Sequence, residues 1–204
     1  MKNIYQSFEK EKFKSTLKET SKDNSNIARG SVKYMTDSEK EVVNFDVVKK
    51  DYVENLGLSI VPKSNDALLI VDDKVSFFIE FKNGSINNEK TYEIQKKIYD
   101  SLLLILDLID NSISFSRKYL HYILVYNEEL SHPSKLFDEE EFVKRNNEYK
   151  LYRDKIVKRV KLLSANNYIQ FGLGYFEKIY FKSVNTFTKK EFDYWISNKL
   201  YKQV

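Results

Sequence analysis

Cysteine is absent from this chain of 204 residues, and histidine occurs only twice, at His121 and His132. The missing thiols exclude a disulfide framework, a thiolate zinc site, an iron–sulfur cluster and a cysteine nucleophile. Two imidazoles are too few to build a histidine-rich metal centre by themselves, so carboxylates would have to complete one. Glycine (5) and proline (2) are scarce, which excludes collagen-like and low-complexity segments. Long apolar runs are missing too: the most apolar stretch, Leu102 to Ile109, is interrupted by Asp107 and is far too short to span a bilayer. Met1-Lys2-Asn3-Ile4-Tyr5-Gln6 leads into charged sequence without the apolar centre of a secretory signal. The expectation is a cytoplasmic protein with no membrane partner.

What is present is core material. The chain is 42% apolar and carries 14 Phe and 15 Tyr, too much for general disorder. Its length suits one domain over residues 1–204, with 1–33 as an N-terminal extension and 134–164 as a basic helical insertion. The net charge of +4 is mild, but it is unevenly spread. Between Lys144 and Lys161 eight basic residues face only Glu148 and Asp154. Lys144, Arg145, Arg153, Lys155, Lys158 and Arg159 are the candidate nucleic-acid contacts, and the interleaved Tyr149 and Tyr152 suit base stacking. A solvated helix face or a homodimer contact would use the same residues.

The periodicities outline an α/β fold. Residues 1–20 show a weak apolar pattern that reads as a frayed helix. A helix is expected from Ser38 to Leu56, opened by a Ser38–Glu41 capping box and stopped by Gly57. Residues 67–71 and 75–82 read as two strands joined by the polar turn Asp72-Asp73-Lys74. The longest helix, 89–110, has Ile94, Ile98, Leu102, Ile105 and Ile109 on one face. A buried strand follows at 119–126, making a crossover unit. Two further strands are expected at 168–173 and 178–184, then a helix opened by a Thr188–Glu191 capping box.

One charged pair sits where the pattern demands apolar residues. In Val75-Ser76-Phe77-Phe78-Ile79-Glu80-Phe81-Lys82, period-2 geometry puts Glu80 and Lys82 on one face, roughly 6–7 Å apart. An unpaired carboxylate on a helix-covered sheet costs several kcal/mol (~2–7). A three-residue hairpin loop, or a bulge, sets Asp66 opposite Glu80, whereas a plain two-residue loop sets it opposite Ile79. Two facing carboxylates repel, and a divalent cation relieves them; hard oxygen donors favour Mg²⁺ or Mn²⁺. A Glu–Lys surface pair on an edge strand is the alternative.

Asp66, the apolar stretch and Glu80-Phe81-Lys82 before a long helix resemble the PD-(D/E)xK nuclease superfamily. Gln95-Lys96-Lys97-Ile98-Tyr99 is similar to the QxxxY element of its RecB-like and lambda-exonuclease-like branch. The resemblance spans residues 38–126. It implies a restriction-endonuclease-like αβα sandwich with a central mixed sheet, and Mg²⁺-dependent cleavage of phosphodiester bonds, with DNA the expected partner. By the same likeness Asp66, Glu80 and the Phe81 carbonyl hold Mg²⁺ or Mn²⁺, with Glu41 as an added acidic ligand. Lys82 is then the catalytic lysine, while Gln95 positions a phosphate or the lysine and Tyr99 contacts the backbone or a base. Ser64-Asn65 departs from the family pattern, standing where the name has proline. A retired nuclease fold that binds nucleic acid or protein, and an RNA-cleaving toxin, are the alternatives.

Overall fold

The apolar runs become the centre of a six-stranded mixed sheet. The computed structural model describes residues 4–23, 32–131, 169–198 and 200. In chain order the elements are helix α1 (Ile4–Ser7), strand β1 (Lys14–Thr16), helix α2 (Leu17–Thr20), strands β2 (Lys22–Asp23), β3 (Lys33–Tyr34) and β4 (Glu41–Asn44), and helix α3 (Phe45–Asn55). The hairpin β5 (Ala67–Asp72) and β6 (Val75–Lys82) follows, then helices α4 (Asn88–Leu108) and α5 (Ile113–Tyr119) and strand β7 (Leu120–Tyr126). Strand β8 (Ser183–Thr188) and helix α6 (Lys189–Asn198) end the described chain.

The sheet order is β1-β4-β5-β6-β7-β8, with β2 and β3 forming a small separate pair. Strands β1, β4, β5 and β6 pair antiparallel, whereas β6, β7 and β8 pair parallel. The parallel step from β6 to β7 needs a crossover, and α4 and α5 supply it. Helices cover both faces. Phe45, Leu68, Phe78, Ile98 and Leu124 belong to one core, under α3 and α4. Leu69, Phe77, Ile79, Ile123, Phe192 and Trp195 belong to the other, under α6. The alternation along β6 therefore divides its side chains between two cores, which defines an αβα sandwich.

The apolar stripe of α4 is as expected: Ile94, Ile98, Leu102, Ile105 and Ile109 are all buried. So is the second capping box, in which Thr188 N–H donates to Glu191 and Glu191 N–H donates to Thr188 Oγ1. Gly57, at φ +67, ends α3 in the left-handed conformation that glycine adopts without strain.

Three expectations need correction. Residues 41–44 are a strand, not the start of a helix, because Val42 and Val43 face opposite cores and the segment is paired on both sides. Asn44, not Ser38, caps α3, accepting from Val47 N–H. The N-terminal residues are more than a frayed helix: β1 extends the sheet, and Ile4, Phe8, Phe13 and Leu17 are buried. Residues 169–173 form no strand, since Phe171 and Gly172 turn left-handed at φ 56 and 68, and β8 begins only at Ser183. The basic insertion 134–164, with all six candidate contacts, lies outside the described residues, as does His132.

His121 is a core residue. It lies on β7 between β6 and β8, stacks on Phe77 at 4.7 Å and shares a 2.7 Å hydrogen bond with Ser183. Burial, then Lys182, pulls its pKa down to about 4, so it is neutral at pH 7. No helix among the described residues is long and apolar enough to cross a membrane.

Phe78 has no exposed surface and meets Phe45 edge-on at 4.9 Å. Phe78→Ala should cost about 3–5 kcal/mol of unfolding free energy by urea titration. A loss under about 1 kcal/mol would mean that this core is not closed between β6 and α3.

Candidate active site

Asp66 reaches Glu80 because the β5–β6 ladder contains a bulge. Ala67 faces Ile79, Leu68 faces Phe78 and Ile70 faces Ser76, but Asp72 faces Val75. The register slips between Ile70 and Asp72, leaving Val71 as the extra residue. Its carbonyl accepts the Tyr5 hydroxyl at 2.5 Å. The turn itself is only Asp73-Lys74, so the bulge is what restores the register of a longer loop. Asp66, one residue before β5, is thereby set beside the Glu80–Phe81 end of β6. Its carboxylate accepts the Phe81 N–H at 2.7 Å.

Glu80 lies in the sheet interior with a relative exposure of 0%. Lys97, from α4, compensates it. The Lys97 ammonium donates to Glu80 Oε1 at 2.7 Å and Oε2 at 2.9 Å, and to Asp66 Oδ1 at 3.1 Å. Lys82 sits at the edge of this group, its Nζ 3.5 Å from Glu80 Oε1. Asp66, Glu80 and Lys82 are thus brought together, and the fourth member is a lysine that sequence reasoning passed over.

The signal for Lys97 was present. It falls between Ile94 and Ser101, both buried, on the stripe of α4 that faces the sheet. A lysine on an apolar stripe needs an acidic partner beneath it. Ser101, one turn further, accepts the N–H of Asn65 at 2.8 Å, and Asp100 accepts that of Lys63 at 2.8 Å. Helix α4 therefore holds both the segment leading to Asp66 and the carboxylates themselves.

Asp46, in the first turn of α3, is the acidic residue that lies near this group. Its Oδ1 accepts from Ser64 Oγ and from Lys49 Nζ, each at 2.6 Å. Burial alone would raise its pKa, but those bonds and the charges of Lys49 and Lys97 bring it below the ordinary value. Glu41, the expected first-helix ligand, is exposed and paired with Thr16 at the start of β4. The opposite end of that strand, Asn44, is the one that adjoins Ala67 and Asp66. Glu41 is therefore not brought to the carboxylates.

The Gln95 side chain is half-buried and makes no hydrogen bond among the described residues. Tyr99 packs against Phe176 at 5.1 Å and Tyr180 at 5.5 Å. The flank of α4 that carries them is turned to segment 173–180, and Lys97 between them is turned to the carboxylates. For Phe81, the atom brought to Asp66 is the amide rather than the carbonyl. Two polar side chains next to the group are buried without a hydrogen-bond partner among the described residues: the Asn65 amide and the Tyr122 hydroxyl. Burial, then the charges of Glu80 and Asp66, holds that hydroxyl protonated well above its usual range.

Glu80 and Asp66 can close on one cation, because a single ammonium nitrogen already bonds both within 3.1 Å. Among the described residues no three Asp, Glu, His or Cys side chains gather as a metal cage. Two carboxylates are nonetheless a usual donor set for Mg²⁺, which keeps much of its water shell. No protein-family model, curated protein or solved structure matches the chain.

Burial, then the Asp66 charge, pushes Glu80 up to about 8 against the pull of Lys97 and Lys82. Burial raises Asp66 as well. An acid whose folded pKa is raised binds a proton that the unfolded chain releases. Its stabilisation is complete below its ordinary value and lost as pH rises through the folded value. In chelator, the melting temperature should fall between about pH 5 and about pH 8, and Glu80→Gln should flatten the fall. Identical slopes for wild type and Glu80→Gln would show that Glu80 does not carry the effect.

Proposed function

We propose that this protein is a nuclease of the PD-(D/E)xK type with a restriction-endonuclease-like core, cleaving phosphodiester bonds in DNA with Mg²⁺ or Mn²⁺. The observation that carries the reading is the convergence of Asp66 and Glu80 on one cation-sized point, with Lys82 at its edge. The mixed sheet and the long crossover helix after the Glu80-Phe81-Lys82 strand support it.

Asp66 and Glu80 are the residues that would hold the cation. When bound, such a cation supplies Lewis-acid polarisation of the phosphoryl group and a more acidic water. The protein's own contributions follow from position. The Phe81 amide fixes one Asp66 oxygen, leaving the other for the cation. Lys82, partly exposed, offers a compact positive charge to a phosphate developing negative charge. Glu80 has no exposed surface, and the low dielectric around it strengthens its interactions, while Asp66 keeps some exposure.

A second reading has its own observation. The carboxylates are already bridged by Lys97, which is how a nuclease fold retired into a binding module would keep them.

Cleavage decides between them. Supercoiled, linear and single-stranded DNA, and RNA, should be incubated with Mg²⁺, Mn²⁺ or chelator. Metal-dependent cutting of DNA is expected, and cutting of RNA alone would move the substrate class. Lys82→Ala should lower cleavage by about 10²-fold or more while nucleic-acid affinity stays nearly unchanged, since one cation among many adds little to phosphate binding. Binding without cleavage in every metal would establish the retired fold instead.

A further inference from the structure

We infer that Lys97 is the resident counter-cation of the site, holding Asp66 and Glu80 together in the metal-free protein and competing with a divalent cation for the same oxygens. The inference rests on reading those two carboxylates as a divalent-cation site, and it adds a residue which that reading does not contain.

Geometry is the first ground. Three oxygens of two side chains accept from the one Lys97 nitrogen, at 2.7, 2.9 and 3.1 Å. A cation held by Asp66 and Glu80 must use those oxygens, so ammonium and metal cannot both occupy the point where they converge. Energetics is the second ground. Glu80 has no exposed surface, and a buried carboxylate left without its partner is strongly destabilising. Lys82 alone does not replace the partner: its nitrogen stands 3.5 Å from one oxygen of Glu80, and its only salt bridge among the described residues is that one. Attachment is the third. Lys97 lies on a 21-residue helix that Ile94, Ile98 and Leu102 lock onto the sheet, so its backbone is fixed and only its side chain needs to move. A destination is close. Asp46 follows Phe45, whose amide bonds the Asp66 carbonyl at 3.2 Å, and its carboxylate accepts from Ser64, two residues before Asp66.

The sequence gives Lys97 no such role. The QxxxY likeness singles out Gln95 and Tyr99, whereas the side chain that touches both carboxylates is the one between them.

The test compares wild type, Lys97→Met and the double variant Lys97→Met/Glu80→Gln, using thermal melts in chelator and calorimetric titration with Mn²⁺. In chelator, Lys97→Met should melt several degrees below wild type. Mn²⁺ should bind Lys97→Met about tenfold or more tightly than wild type, and it should restore the lost melting temperature. A merely structural lysine predicts weaker or unchanged Mn²⁺ binding on its removal, so the gain in affinity is the diagnostic. The double variant removes both charges. It should recover stability in chelator and lose Mn²⁺ binding, which keeps the test informative if Lys97→Met folds poorly without metal. Equal or weaker Mn²⁺ binding by Lys97→Met overturns the competition while leaving the metal site standing. Absence of Mn²⁺ binding in all three proteins overturns the metal site and the competition together.

Discussion

A carboxylate sealed inside a six-stranded sheet is the constraint around which the rest of this structure is arranged. Glu80 is fully buried, and it lies beside a second carboxylate, Asp66. Neither charge is tolerable alone at such depth. The compensation comes from three groups in two elements: Lys97 on α4, and Lys82 with the Phe81 amide on β6. Helix α4 must therefore be in place for the sheet to be stable, and its Ser101 and Asp100 also hold the segment that carries Asp66. Fold and site are not independent here. The residues that would do chemistry also fasten the longest helix to the hairpin.

The hairpin was legible because alternation along β6 leaves no freedom. Phe77, Ile79 and Phe81 need one core, and Phe78 needs the other, so Glu80 and Lys82 must share the second face. Given that face, the convergence of Asp66 required one extra residue in the hairpin, and periodicity alone does not say where it goes. The chain put it at Val71, within the strand, rather than in the turn. Two aspartates and a lysine at the turn look like a long loop in sequence, although Asp72 keeps its pairing with Val75.

What was not legible failed for a common reason: tertiary pairing overrode local signals. Ser38 and Glu41 have the spacing of a capping box, yet Val42 and Val43 gain more as a strand between β1 and β5 than as a helical turn. The aromatic run around Phe171 looks extended, but Phe171 and Lys178 take positive φ, and Leu173 and Phe176 bury themselves in a short turn of helix instead. Lys97 and Asp46 escaped notice for a different reason. A lysine beside another lysine in a chain with 31% charged residues looks like solvated surface until its neighbours on the helix face are counted. Asp46 became a candidate only once the true start of α3 was known.

The charge balance of the cluster bears on how the proposed reaction would be ordered. Asp66 and Glu80 contribute two formal negative charges, and Lys82 and Lys97 contribute two positive ones. Above the raised pKa of Glu80, where both carboxyl groups are ionised, the group is neutral before any ligand arrives. Under the nuclease reading, entry of a divalent cation leaves a strongly positive site if both lysines stay, and low dielectric makes that excess costly. A phosphodiester is the natural relief, since it brings negative charge to the exposed edge where Lys82 already stands. Cation and substrate then favour each other's binding, and by linkage the coupling is reciprocal. Under the same reading a displaced Lys97 ammonium would also need an anion, and Asp46 and the incoming phosphate are the two candidates. Under that reading, a metal-loaded site that keeps both lysines carries a positive excess, and the phosphodiester relieves it.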